Sequence, residues 1–323
     1  MVAFLEINNP QFLIDKHYNQ RCFMKAMILA AGLGVRLRPL TLKKPKVLVP
    51  VANRANIDML IAYLKSHGVQ DIIVNTYYLY EQIVDYLNDN SKFGINVNTI
   101  VESQILGTGG GIKNTEDFWG KDPFIVINGD IITNINLTDA INKHIEKTSL
   151  VTLILHDYKI FNQIKIDSNL NILDISSKTS FGCLAFTGIH IIDPFCLNFI
   201  PDNQFSNIIN CYRKIINLGY TIKAYTSKGH YWRDLGTPKD YMLANKEALK
   251  NKPFLLAPDS KVSSSVELKD WVVIGNKTEI GDRVIISGSV LWEGVKVKNG
   301  IKIIDSVVTS NNYVTSDLIG KII

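Results

Sequence analysis

Between Met24 and about Leu150 the chain alternates short apolar runs with amphipathic stripes, and this alternation leaves few folds open. Ala26–Ala31 is a continuous apolar run, the pattern of a parallel strand covered on both faces. Ile57, Leu60, Ile61 and Leu64 then recur at i, i+3, i+4 and i+7, which predicts a helix packed on a sheet and ended by Gly68. Asp71–Asn75 reads as the next strand, and Leu79, Ile83, Val84 and Leu87 as a second amphipathic helix. Ile95–Val101 and Phe124–Asn128 are two further strands, separated by a glycine-rich segment and a short helix. Repetition of this kind predicts a Rossmann-like α/β fold with a mostly parallel sheet and right-handed crossovers.

A different pattern begins after about Phe254. Val262, Leu268, Ile274, Ile280 and Ile286 lie six residues apart, and Gly275 and Gly281 follow two of them. A six-residue period predicts a short left-handed β-helix in which this set points into the core. Val290 to Val308 keeps an apolar alternation but loses the period. A module of about three coils stacks poorly alone, so a homo-oligomer is expected. The chain thus divides into an N-terminal extension (1–23), an α/β domain (24–250) and a hexapeptide-repeat domain (255–323).

Composition excludes several partners. The net charge of +5 is mild, and no Lys/Arg-rich segment is interleaved with aromatics, so nucleic acid is not an expected partner. Cys22, Cys183, Cys196 and Cys211 lie far apart with no Cys-x-x-Cys pair, which argues against a zinc site or disulfide framework and fits a reducing cytoplasm. No apolar run reaches the roughly 18 residues of a membrane span, and residues 1–23 lack the pattern of a signal peptide.

The unusual residues fall where strands end, which is where open α/β sheets bind ligands. After the first strand comes Gly32-Leu-Gly-Val-Arg-Leu-Arg-Pro-Leu-Thr41. Closely spaced glycines such as Gly32 and Gly34 let backbone N–H groups approach a phosphate chain, and Arg36 offers a planar cation for its oxygens. A dinucleotide fold would need glycine where Leu37 stands, and a P-loop would need Gly-Lys-Ser/Thr, which is absent. A plain glycine turn with a solvated arginine is the bland alternative. Lys46, within Lys43-Lys-Pro-Lys-Val-Leu-Val-Pro50, is flanked by a proline and an apolar run that fix it as a point charge for phosphates. Glu102 precedes Leu106-Gly-Thr-Gly-Gly-Gly-Ile112, whose glycines signal a close backbone approach, here read as an approach to a base or sugar. An ionised Glu102 only accepts hydrogen bonds, and guanine presents two adjacent donors, so this reading favours guanine over uracil or thymine. Glu102 as an exposed strand-end charge is the alternative. Asn128-Gly-Asp130 and Trp232-Arg-Asp-Leu-Gly-Thr237 each hold a carboxylate at a sharp turn, suited to Mg²⁺. A capping role for Asp234 is the competing explanation.

Together these segments resemble the nucleoside-diphosphate-sugar pyrophosphorylase (sugar-1-phosphate nucleotidyltransferase) family over Met24 to about Leu249. The closest likeness is to mannose-1-phosphate guanylyltransferases and N-acetylmuramate-1-phosphate uridylyltransferases. The resemblance implies a GT-A-like fold and Mg²⁺-dependent transfer from a nucleoside triphosphate to a sugar 1-phosphate, with GTP and mannose 1-phosphate the expected pair. Uridylyl or thymidylyl transfer to N-acetylmuramate, glucose or heptose 1-phosphate is the alternative. It further implies catalytic roles for Arg36 and Lys46, and nucleotide contacts from Leu29, Ala31, Gly32, Gly34, Glu102, Gly107, Thr108 and Gly109. Sugar contacts fall to Asn128, Gly129 and Gly188, and metal binding to Asp130 and Asp234. Three departures stand out: Val35 where a hydroxyl residue is frequent, Asn53-Arg-Ala55 in place of a Gly-basic-Pro turn, and no Glu-Lys-Pro before Thr187. A catalytically silent homologue usually loses the arginine, the lysine or an acid, and all are kept here. A tail acyltransferase would need a histidine base, and none follows His230.

Overall fold

A computed structural model describes residues 24–147 and 149–323, so the expected extension over 1–23 lies outside the described residues. The first half runs β1 (Lys25–Leu29), a ribbon of β2 (Pro50–Val51) and β3 (Arg54–Ala55), α1 (Asn56–Ser66), β4 (Asp71–Thr76) and α2 (Tyr80–Leu87). It continues through β5 (Asn96–Val101), α3 (Gly107–Lys113), α4 (Glu116–Trp119), β6 (Phe124–Asn128), β7 (Ile131–Thr133) and α5 (Leu137–Lys147). Next come β8 (Val151–His156), β9 (Asn162–Ile166), β10 (Ile172–Ile175), β11 (Leu184–Ile192), α6 (Ile208–Asn217), β12 (Ile222–Thr226), β13 (Trp232–Asp234) and α7 (Pro238–Ala248).

The expected parallel strands pair as β5-β4-β1-β6, with Ala26 opposite both Ile72 and Ile125. Alternate residues of β1 explain the two helical layers. Ala26 and Ile28 join Leu60, Ile61, Leu64, Ile83 and Leu87 on one face, while Met27 joins Ile112, Ile208 and Tyr212 on the other. Truncating one such buried side chain to alanine costs about 2–5 kcal/mol.

Beyond β6 the sheet departs from the mostly parallel expectation. β11 pairs antiparallel with β6, β8 and β9, β9 pairs antiparallel with β10, and β12 is parallel to β8. The reason is a gap left by the crossover. α5 returns the chain in β8 with the same direction as β6 but one position away, and the long β11 fills the space between them running the other way.

The C-terminal segment contains β14 (Phe254–Leu256), β15 (Lys261–Val262), β16 (Glu267–Ile274), β17 (Glu279–Ile280), β18 (Ile285–Leu291) and β19 (Lys296–Val297). β20 (Lys302–Ile304), β21 (Val307–Val308), β22 (Tyr313–Val314) and β23 (Leu318–Ile319) complete it. The strands stack in parallel columns, one of them β15-β17-β19-β22, an arrangement compatible with a β-helix. Ile274, Ile280 and Ile286 are buried in the stack, and Val262 and Leu268 pack against them. Lys261 lies opposite Glu279, an offset of 18, whereas Glu279 lies opposite Lys296, an offset of 17. The register shift lies between Ser287 and Ser289, so Leu291 follows Ile286 by five residues before the spacing of six resumes at Val297 and Ile303. The column is four strands deep, one level more than the roughly three coils expected.

Candidate active site

The carboxyl ends of β1, β4, β5 and β6 open onto a cavity of about 230 Å³. Its wall includes Leu29, Ala31, Gly32, Lys46, Glu102, Gly107, Thr108, Asn128, Gly129 and Asp130, all singled out in the sequence, together with Ala30, Val47, Asn75 and Ile105, which were not. A Cβ added at Gly32 would meet no protein atom within 4 Å, so this glycine borders open space, as a ligand-facing turn requires. Gly129 is constrained from behind: its N–H donates to Leu29 O at 2.9 Å, and a Cβ would come within 2.6 Å of that oxygen and of Val47. Asn56 fixes the same turn by donating to Gly129 O at 2.8 Å.

The charged groups gather at the end of β6. Lys46 Nζ donates to Asp130 Oδ2 at 2.5 Å, with only 14% of the lysine side chain exposed. β13 pairs antiparallel with β7, setting Asp234 opposite Ile131, and Leu235 N donates to Asp130 O at 2.8 Å. Asp130 and Asp234 therefore converge although they are far apart in the chain. The Asp234 carboxyl is pushed up to about 6, first by burial and then by the charge of Asp130, while Lys46 and Arg36 pull it down. Arg36 Nη1 lies 3.7 Å from Asp234 Oδ2 on a side chain 63% exposed, so it remains free to reorient. A Cβ at Gly236 would collide with the Asp234 carboxylate, which accounts for that glycine. Asp234 itself makes no capping bond. The α7 cap belongs to Thr237 and Asp240, which bond reciprocally.

Asp130 and Asp234 are the two carboxylates here that could hold a metal ion. Among the described residues no group of three or more His, Cys, Asp or Glu is gathered to hold a metal. A pair of carboxylates completed by phosphate oxygens and water is the donor set that Mg²⁺ takes.

Other expectations need correction. Glu102 is 3% exposed, and both of its oxygens are engaged within the protein. Oε1 accepts from Asn75 Nδ2 at 2.7 Å and Oε2 from Leu106 N at 3.0 Å. A carboxylate oxygen carries two lone pairs, so these bonds orient Glu102 in the cavity wall and leave each oxygen a second acceptor site. Asn75 was missed by sequence reading. It links Glu102 to the first strand by accepting from Ala30 N at 2.9 Å, and its only signal is an amide closing an apolar strand. Gly109 does not line the cavity. Its N–H donates to Ser206 O at 2.8 Å, and a Cβ would lie 2.8 Å from Ser206 Oγ. The close approach signalled by the three glycines is thus made within the protein: Gly109 and Gly110 meet the 204–208 segment, where a Cβ on Gly110 would lie 2.6 Å from Gln204 O, and a Cβ on Gly111 would lie 2.8 Å from Asn75 Nδ2 and Glu102 Oε1. Gly34 and Gly188 also stand behind the wall. Gly34 (φ +61°) turns the chain against Thr41, and Gly188 (φ +77°) leaves room for the Asn128 amide.

A nucleotidyl transferase family model matches residues 25–251. A UTP–glucose-1-phosphate uridylyltransferase of Synechocystis sp. is 30% identical over 247 residues, covering 70% of this chain and 63% of that protein. A mannose-1-phosphate guanyltransferase of Schizosaccharomyces pombe is 31% identical over 251 residues, covering 73% of this chain and 69% of that protein. The crystal structure of HddC from Yersinia pseudotuberculosis complexed with GMP-PN superposes with a TM-score of 0.61 at 27% identity, covering 70% of this chain and 99% of that one. The chain belongs to the nucleotidyl transferase family.

Proposed function

We propose that this chain transfers a nucleotidyl group from a nucleoside triphosphate to a sugar 1-phosphate and releases pyrophosphate. The observation that carries the reading is the convergence of Asp130, Asp234 and Lys46 beside the open turn at Gly32. In this reading residues 24–250 form the catalytic domain and residues 255–323 a left-handed β-helix.

An oxygen of the sugar phosphate attacks the α-phosphorus in line. A new P–O bond forms, the α–β bridging P–O bond breaks, and its electron pair leaves with pyrophosphate. No covalent enzyme intermediate is required, so catalysis is positioning plus charge stabilisation. Asp130 and Asp234 would hold Mg²⁺, which when bound offsets the repulsion between the two phosphates. Lys46, fixed by its short arm, presents its ammonium to the polyphosphate from the side of Asp130. Arg36 reorients from Asp234 toward phosphate oxygens. Gly32 leaves the polyphosphate room to lie against the backbone, and Asn128 and Gly129 border the space for the sugar phosphate.

GTP with mannose 1-phosphate is the working substrate pair, supported by the guanyltransferase relative and its coverage of this chain. A uridylyl reading is favoured by the uridylyltransferase relative. A matrix of nucleoside triphosphates against sugar 1-phosphates, read by pyrophosphate release, tests both. One strongly preferred pair supports the reading, and absence of release for every pair sinks it.

A further inference from the structure

The outer face of the C-terminal stack carries one continuous apolar row. Leu255, Val273, Val290 and Val307 are register partners on β14, β16, β18 and β21, and Ile322 bridges Val307 at the far end. The neighbouring residues Val272, Ile274, Leu291 and Val308 point instead into the stack. A row of apolar side chains facing outward needs a cover, and the cover here is α7 together with apolar neighbours of Arg36, Lys46 and Asp234. The row shares one cluster with Leu37, Val49, Val51, Leu235 and Tyr241. Leu37 adjoins Arg36, Val49 ends the Lys46 arm, and Leu235 follows Asp234.

Hydrogen bonds give this contact direction. Trp292 Nε1 donates to Tyr241 Oη at 2.8 Å, and the Tyr241 hydroxyl donates to Pro50 O at 2.7 Å, four residues beyond Lys46. Asn53 Nδ2 donates to Ile274 O at 2.8 Å, tying the turn after the arm to the stack directly. The Trp292 backbone is fixed from its own side, since Trp292 N donates to Val308 O and Trp292 O accepts from Thr278 Oγ1. Gly275 has to lack a side chain because a Cβ would come within 2.7 Å of the Trp292 and Glu293 backbone. Tyr241 is fully buried, and burial pushes its hydroxyl well above the usual phenol range, so it stays a donor.

We propose that the C-terminal stack holds the Lys46 arm in place through the Trp292–Tyr241–Pro50 chain, making Trp292 and Tyr241 positioning residues for the transfer. This rests on the reaction proposed above, because it assigns to the tail the alignment of the lysine and carboxylates which that reaction uses. Tyr241 does not touch the cavity; it acts on Lys46 through the backbone of the arm.

The test compares Tyr241→Phe and the milder Trp292→Phe with Ile303→Ala. Ile303 is buried inside the stack, away from the row, so its truncation weakens the tail without touching the arm. Tyr241→Phe removes both hydrogen bonds of the hydroxyl and should lower kcat by at least about tenfold, with less than about twofold change in either KM. Amides of Val51–Asn53 should exchange faster in both interface variants. Ile303→Ala should keep wild-type kcat and wild-type exchange there, even at an equal or larger loss of Tm. The proposal is overturned if Tyr241→Phe leaves kcat and the exchange of Val51–Asn53 unchanged, or if Ile303→Ala matches its effects. Should the wild-type chain transfer nothing, the proposed reaction fails, yet the exchange comparison still decides whether the stack restrains the arm.

Discussion

Replacing Lys46 by Met keeps the apolar stem and removes only the ammonium. That group faces Asp130 at 2.5 Å, with side chains 14% and 24% exposed. Two consequences of different size follow. The ion pair lies at the edge of solvent, so its loss should lower stability by about 1 kcal/mol, nearer the value for exposed pairs than for buried ones. During transfer the same ammonium faces the developing charge on the polyphosphate in a partly enclosed cavity. Removing one preorganised donor of this kind costs about 3–4 kcal/mol of barrier, or roughly 10²–10³ in kcat. The assay is pyrophosphate release at saturating nucleotide, sugar phosphate and Mg²⁺, paired with thermal unfolding of both proteins. The expected result is a kcat loss of at least about a hundredfold with a Tm within roughly 4 °C of wild type. Near-normal kcat would refute the role of Lys46. A collapse in stability large enough to explain the rate would refute the separation of the two effects.

Asp234→Asn removes half of the carboxylate pair and should raise the Mg²⁺ concentration for half-maximal rate by at least about tenfold, the lower bound for disturbing even the groups around a metal's ligands; a Mg²⁺ titration checks it. Glu102→Gln places an amide donor against Asn75 Nδ2 or Leu106 N, so stability should fall by about 1–3 kcal/mol in urea unfolding. Burial lowers the pKa of His144 to about 4 against 6.5 in the unfolded chain, with Asp193 acting in the opposite direction. Its neutral form costs nothing above pH 6.5, and stability is lost as pH falls from 6.5 to 4, by about 3 kcal/mol in all. Urea unfolding at pH 7.5 and 4.5 should show a smaller acid loss for His144→Gln than for wild type.

The parallel half of the sheet was legible because β1, β4 and β6 are buried on both faces, with β5 the exposed edge, and each helix writes its own period. Val151–His156 and Leu184–Ile192 are equally apolar, but which strand fills the slot beside β6 depends on pairing across tens of residues, and no local pattern encodes that. The residues at the end of β6 were readable for a local reason. Gly129 and Asp130 sit on a turn whose tightness shows in the sequence as Asn-Gly-Asp. The three glycines at 109–111 were misread because a close approach is visible in sequence but its partner is not. The partners proved to be Gln204, Ser206, Asn75 and Glu102. For Glu102 the sequence likewise hides the partners, since a carboxylate alone does not reveal that Asn75 and Leu106 donate to it. The six-residue spacing in the tail marked buried positions, whereas the outward row at Leu255, Val273, Val290, Val307 and Ile322 follows the stacking offset and was overlooked.

The central claim is tested most directly by product stoichiometry. The purified chain would be incubated with Mg²⁺, its preferred nucleoside triphosphate and a sugar 1-phosphate, and followed by phosphorus NMR. Transfer predicts one nucleoside-diphosphate sugar for every pyrophosphate released, and regeneration of the triphosphate when pyrophosphate is added back. Orthophosphate with free nucleoside diphosphate, or pyrophosphate released without a sugar nucleotide, would contradict it.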